Sequence, residues 1–232
     1  MASFHLVRQH GARASLGLAR LALDRRPLAR IAGVRFSRLL GTGRGRTTSL
    51  SIDPARRAAF VVWDDADALD AFLRSSPVAA RWRAAGEHYA VRLRLVSGGG
   101  RWRGAEPLAG LPVAAAAGGP VAVLTRADVR VRSWRPFVSA GRPVSSALAA
   151  GVDGLLAVVG VGEAPIGRQA TFSLWRDAAA VDAFAYGNAA HVDVVRRTRV
   201  EGWYGDELFA RFAPETIEGT WDGIDPLGRA GG

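Results

Sequence analysis

The sequence predicts an α+β fold made of two tandem ferredoxin-like (β-α-β-β-α-β) repeats packed sheet against sheet as an α+β barrel. Three observations carry this expectation. First, the 232-residue chain repeats itself: Phe60, Trp63, Asp65, Asp70, Ala71 and Phe72 recur as Phe172, Trp175, Asp177, Asp182, Ala183 and Phe184, all at a spacing of 112. Second, "RWRGAEPL" from Arg101 and "TWDGIDPL" from Thr220 share the pattern W-x-G-x-acid-P-L. Third, each copy alternates short β-branched runs with longer helical ones in the order of one such unit. Residues 1–110 form the first repeat and residues 120–228 the second, joined by "LPVAAAAGG" at 111–119.

The elements follow in order. "FHLVRQ" opens the first copy as a strand. Residues 12–26, "ARASLGLARLALDRR", read as its crossover helix, with Leu16, Leu18, Leu21 and Leu23 as an apolar stripe flanked by Arg13, Arg20, Arg25 and Arg26. The next helical stretch breaks at Ser76-Pro77, a good N-cap followed by a good first helical residue. "YAVRLRLV" closes the copy. In the second copy "PVAVLTRADVRV", "GLLAVVGVG" and "RQATFSLW" read as strands and "WRPFVSAGRPVSSALAA" as the crossover helix. "DAAAVDAFAYGNAAHVDVVRRTR" is helical with a break, and "GWYGDELFARF" is the closing strand. The Gly-rich segments at 41–46 and 160–163 follow strands without opening a helix, so they read as turns rather than nucleotide cradles.

Composition narrows the chemistry. With no cysteine, thiolate catalysis, disulfides, iron–sulfur clusters and Cys-based zinc sites are excluded. No apolar run reaches the roughly 18 residues of a membrane span, and no secretory h-region opens the chain. A cytoplasmic protein is expected. The formal charge is +10 and every basic residue is arginine. Residues 1–57 hold twelve arginines against Asp24 and Asp53, whereas the remainder is balanced. Such a patch suits an anionic membrane surface or ligand. It has little aromatic interleaving, only Phe4 and Phe36, so nucleic acid is not the expected partner.

His191 is the sharpest candidate. Aligning the helical breaks puts Asn188 at the N-cap and His191 at the third helical position, where the first copy has Ala79. The scaffold therefore accepts a small side chain there, and the second copy places an imidazole instead. The helix dipole disfavours a cationic ring, and a neutral imidazole is what a metal needs. A histidine that merely hydrogen-bonds in the groove is the competing reading. His5, His10 and His88 are scattered, and no His-x-x-x-His or facial triad exists. One histidine cannot hold bare zinc or iron, but it can hold haem iron, whose other ligands come from the porphyrin.

"GVGEAPIGRQATFSLW" at 160–175, "AFAYGNAAHVDVVRRTRVEGWYGDELFARF" at 183–212 and "GTWDGIDPL" at 219–227 resemble the spheroidene monooxygenase family, the acyclic carotenoid 2-ketolases. "GPVAVLTRADVR" at 119–130 fits the start of that family's second half, and the N-terminal forty residues fit its opening more loosely. The resemblance implies a monooxygenase that uses haem b, O₂ and an external reductant on an acyclic carotenoid, with a fold similar to small haem-binding α+β-barrel proteins. His191 stands where the proximal ligand of the iron is expected.

The remaining candidates surround it. Trp203 and Tyr204, after the His191 helix, are expected catalytic residues lining a pocket. By alignment they match His88 and Tyr89, which for Tyr204 also fits plain packing. Arg196 and Arg197 are expected to bind haem propionates bidentately, or else to lie on a solvated helix face. Glu201, Asp206 and Glu207 could each orient the second imidazole nitrogen. Glu163 reads as a surface carboxylate. Trp63, Trp175, Phe72, Phe172 and Phe184 read as core because they repeat. The expected partners are an apolar substrate, an electron-donor protein, a peripheral membrane contact through residues 1–57, and a second copy in a homodimer. The competing functions are a haem-degrading oxygenase or haem carrier on the same fold, a cofactor-free monooxygenase, and a basic binding module.

Overall fold

The computed structural model describes residues 1–11, 17–44, 52–116, 118–164 and 167–228, without the side chains of residues 17–22. Its elements are β1 (Ala2–Arg8), α1 (Gly17–Ala29), β2 (Val34–Gly43), β3 (Ile52–Trp63), α2 (Ala66–Ser75), α3 (Pro77–Arg83) and β4 (Glu87–Gly100). The second half repeats them as β5 (Val121–Val129), α4 (Trp134–Ala150), β6 (Leu155–Gly162), β7 (Arg168–Trp175), α5 (Ala178–Gly187), α6 (Ala189–Glu201) and β8 (Tyr204–Gly219). The fold is α+β, and its eight antiparallel strands close a barrel in the order β1-β3-β2-β6-β7-β5-β8-β4.

The halves join edge to edge rather than sheet against sheet. β4 pairs with β8 from Tyr89↔Gly219 to Gly100↔Leu208, and β2 meets β6 at Gly41↔Gly162 and Thr42↔Val161. Pairing both edges satisfies backbone groups that two stacked open sheets would leave exposed. Inward residues of all eight strands then fill one interior. Phe4 stacks on Phe172 at 3.9 Å, Phe60 on Trp102 at 5.8 Å, and Phe172 on Trp221 at 6.3 Å. Trp102 and Trp221 come from the two W-x-G turns, which therefore plug the barrel.

Outward residues bury the helices. In the first half Trp63, Leu69, Phe72, Val78 and Trp82 form the outer layer, and in the second Val121, Leu148, Trp175, Ala180 and Val181. The paired helices start where the sequence places them: Ser76 accepts from Val78 N, and Asn188 accepts from His191 N.

The crossover helix differs from the sequence expectation. α1 continues through Pro27 to Ala29, and its anchor is Leu28 rather than Leu23, which is 70% exposed. Arg13 and Leu16 lie outside the described residues, as do the side chains of Leu18, Arg20 and Leu21. Asp24 is buried and tied to Arg81 at 2.5 Å and to Trp82 Nε1 at 3.1 Å. Nor are all the N-terminal arginines at the surface. Arg56 and Arg57 are buried.

The seam between β4 and β8 depends on glycine. Gly98 sits at φ +101, where an added Cβ would run into the Phe209 carbonyl oxygen. We expect Gly98→Ala to cost about 2 kcal/mol or more, beyond the ordinary glycine-to-alanine effect. Urea denaturation monitored by tryptophan fluorescence checks this.

Candidate functional site

His191 is the third residue of α6, and its backbone N–H is held by Asn188 Oδ1 at 3.0 Å. Its ring is held separately. Nδ1 lies 3.0 Å from the Ala185 carbonyl oxygen at the end of α5. A carbonyl only accepts, so in the neutral ring this contact puts the proton on Nδ1 and the lone pair on Nε2. Phe184 packs against the imidazole at 5.3 Å between ring centres. The ring is thus fixed by two helices, the arrangement a metal-binding imidazole requires.

His191 lines a cavity of about 210 Å³ between the outer face of the second half's strands and the helices α4, α5 and α6. Val123, Phe137, Leu148, Trp175, Phe184 and Val194 give it an apolar wall. Thr125, Ser145, Gln169, Thr171, Ser173 and Tyr204 supply polar groups, and among the described residues no carboxylate or guanidinium lines it. Burial raises the Tyr204 phenol above its ordinary range, so the hydroxyl keeps its proton near neutral pH.

The first half explains why the second has a cavity. Val194 is the repeat partner of Trp82, and His191 of Ala79. The register of β1 with β3 and of β5 with β7 makes Thr125 the partner of His5. In the first half Trp82 is fully buried, with the His5 ring at 5.0 Å and the His88 ring at 6.3 Å. In the second half a valine and a threonine replace an indole and an imidazole, and the space they vacate faces His191.

Other sequence candidates fall differently. Tyr204 lines the cavity, but Trp203 does not. Trp203 is fully buried behind it, with Phe137 at 6.4 Å and Nε1 donating to Glu201 at 2.9 Å. Matching Tyr204 to Tyr89 fails on register. Tyr89 pairs with Leu6 and Leu208 with Arg126, so Leu208 is the structural partner of Tyr89. Tyr204 is therefore not explained by packing in both halves. Arg196 pairs with Asp193 at 2.8 Å and Arg197 with Glu201 at 2.9 Å, Arg197 lies over the Trp203 ring at 4.9 Å, and neither lines the cavity. The group facing the second imidazole nitrogen is the Ala185 carbonyl, not Glu201, Asp206 or Glu207.

Glu163 is not a free surface carboxylate. Trp102 Nε1 donates to it at 3.1 Å, and Arg38 lies 3.1 Å away. His5 and His88, far apart in sequence, meet at 3.4 Å, and His88 reaches Glu218 at 3.3 Å. Burial holds the His5 imidazole well below its ordinary range, with His88 adding to the effect, so His5 is neutral. Among the described residues no group of three or more His, Cys, Asp or Glu could hold a bare metal ion.

No protein-family model matches the chain. Curated relatives do. A spheroidene monooxygenase of Rhodobacter capsulatus is 36% identical over 214 residues, covering 90% of this chain and 88% of that one. This chain belongs to the spheroidene monooxygenase family. A second member, from Rubrivivax gelatinosus, is 38% identical over 208 residues, 89% of this chain and 79% of that one. Family membership makes the protein a monooxygenase. A solved structure of aldoxime dehydratase overlays with a TM-score of 0.54, covering 94% of this chain and 81% of that one at 12% identity, a likeness of fold.

If the exchange of Trp82 for Val194 opens the cavity, restoring the indole should close it. Val194→Trp is expected to abolish binding of a small apolar fluorescent dye while costing no more than about 1–3 kcal/mol of overpacking. Dye titration and thermal unfolding read the two effects.

Proposed function

We propose that this family member is a haem-dependent monooxygenase of an extended apolar substrate of the acyclic carotenoid class. The observation that carries the reading is His191: a ring with its proton assigned to Nδ1 and a free Nε2, lining an uncharged cavity. A single nitrogen donor fits a metal that brings its own equatorial ligands, and haem iron is such a metal. The relatives' name supplies the substrate class.

In this reading His191 Nε2 would hold the iron, with the Ala185 carbonyl fixing the tautomer and strengthening the ring as a donor. Bound haem would supply the O₂ and one-electron chemistry, with electrons from an external donor. Tyr204, protonated, offers a hydrogen bond to a polar atom in the cavity. The apolar wall holds the polyene and excludes water. At about 210 Å³ the cavity is below the ~300–1,000 Å³ of ordinary ligand pockets. The wall that yields is α4. Of its residues only Leu148 is buried, and Pro143 removes one of its internal hydrogen bonds. We read residues 1–110 and 120–228 as two ferredoxin-like units, the second of which carries the His191 cavity beneath its helices.

A carotenoid must also be collected from a membrane. Arg25 and Arg26 on α1 and Arg30 just beyond it are exposed beside Leu23, and basic side chains near an anionic surface contribute about 1 kcal/mol each. The described residues contain no helix long and apolar enough to cross a membrane.

Two outcomes check this function. Protein reconstituted with haem should show a Soret band that His191→Ala loses, while thermal unfolding of the apoprotein stays within about 0.5 kcal/mol, as Ala79 permits in the first half. Equal haem occupancy in both proteins overturns the assignment, and haem that is consumed under reductant makes haem the substrate instead. Arg26→Gln with Arg30→Gln should weaken flotation with anionic liposomes at low salt and leave the Soret band unchanged.

A further inference from the structure

A second cleft, of about 250 Å³, lies at one end of the barrel. Alternation along β7 separates it from the first: Gln169 lines the His191 cavity and Arg168 lines the cleft. Four arginines, Arg25, Arg38, Arg103 and Arg168, line it against one carboxylate, Glu163. That carboxylate is already committed. Arg38 Nε lies 3.1 Å from Oε1, Arg126 Nη2 lies 3.7 Å from Oε2, and Trp102 Nε1 donates to Oε2 at 3.1 Å. Asp128, behind the cleft, holds Arg126 at 2.6 Å and reaches Arg168 only at 3.8 Å. Arg25 and Arg103 have no ion-pair partner among the described residues.

The crowding is visible at Arg38. Burial pushes its guanidinium below the ordinary range. Glu163 opposes that shift, while Arg103, Arg25 and Arg126 add to it. Like charges held together in a partly desolvated cleft are unfavourable unless an anion joins them.

The opposite W-x-G turn serves as a control. Arg103 occupies the x position at φ 54, a left-handed conformation uncommon outside glycine, and Asp222 occupies the equivalent position at φ 52. Asp222 closes its end of the barrel with ion pairs to Arg8 at 2.9 Å and Arg56 at 3.6 Å. Register makes Arg168 the partner of Arg56 and Asp128 the partner of Arg8, so at this end the carboxylate sits on the strand, held closer to Arg126 than to Arg168, and the turn contributes an arginine to the cleft.

We propose that the cleft formed by Arg25, Arg38, Arg103 and Arg168 binds a compact phosphate-class anion, either free phosphate or diphosphate or the phosphate of a lipid headgroup. Guanidinium forks match phosphate oxygens bidentately, and an excess of three positive charges suits a group carrying two or more negative ones. The volume admits such a group. The proposal is independent of haem and of the substrate.

The test is a calorimetric titration with pyrophosphate at fixed ionic strength, on wild type, Arg103→Asp and Arg168→Gln. Aspartate is tolerated at this backbone position, as Asp222 shows, and thermal melts confirm that both variants fold. Wild type is expected to bind, and each variant to bind about tenfold more weakly or worse. Phosphatidic acid vesicles distinguish the sources. Vesicle binding that Arg103→Asp weakens and pyrophosphate displaces marks a headgroup site. Pyrophosphate binding with vesicle binding unchanged in the variant marks a free anion. Pyrophosphate that binds no better than chloride at matched ionic strength, or binds all three proteins equally, overturns the proposal.

Discussion

A closed eight-stranded barrel leaves an interior just wide enough for its own side chains. Phe4, Phe60, Phe172, Phe212, Trp102 and Trp221 fill this one. That packing decides where function can sit. Nothing the size of a cofactor enters the barrel, so binding is confined to the outer face beneath the helices and to the barrel ends. Both clefts obey this constraint. The His191 cavity lies outside the strands of the second half, and the arginine cleft lies where inward-facing Arg38, Arg126, Arg168 and Glu163 replace apolar residues at the end of the interior.

The repeat supplies the second constraint. Two halves with one topology share backbone positions, so a change in one half can be read against the other. Trp82 and His5 make the outer layer of the first half solid, and Asp24 ties the indole to α1. Removing that bulk from the second half forfeits contacts worth several kcal/mol in a core of this kind. The closed first half and the seam between β4 and β8 offset that loss, so an open site can exist without unravelling the barrel. Beneath the helices, then, the first half is solid and the second holds the cavity.

Local signals made much of this legible in the sequence. The Ser76-Pro77 and Asn188 caps, the crossover helix 134–150 and the strand 168–175 stand where residue type and periodicity place them. What stayed hidden was set by tertiary geometry. The Ala185 carbonyl carries no side-chain signal, so no motif could nominate it as the partner of His191. The repeat offset shifts from 112 at Phe60 to 119 at Trp102, and aligning Tyr204 with Tyr89 across that shift matched residues from different layers. Glu163 read as a surface acid because its partners, Arg38, Trp102 and Arg126, come from three distant segments. The arginine excess read as one basic patch, yet part of it is buried around the barrel end.

The two clefts share one construction. At each, the chain contains a closed counterpart with the same backbone and complementary side chains. Trp82 fills the place that Val194 leaves empty. Asp222 pairs with Arg8 and Arg56, where Arg103 lines a cleft with Arg168, whose carboxylate partner Asp128 lies closer to Arg126. The kind of complement missing differs. Beneath α4 and α6 it is apolar volume, with one nitrogen lone pair at its edge. At the barrel end it is negative charge. A missing complement of defined chemistry, with an intact copy elsewhere in the same chain to show what it would be, is stronger ground for a binding site than a depression in the surface. The sheet keeps the two sites apart, since neighbouring residues Arg168 and Gln169 point to opposite faces of β7. An apolar ligand and an anion can therefore occupy the molecule together without sharing a wall.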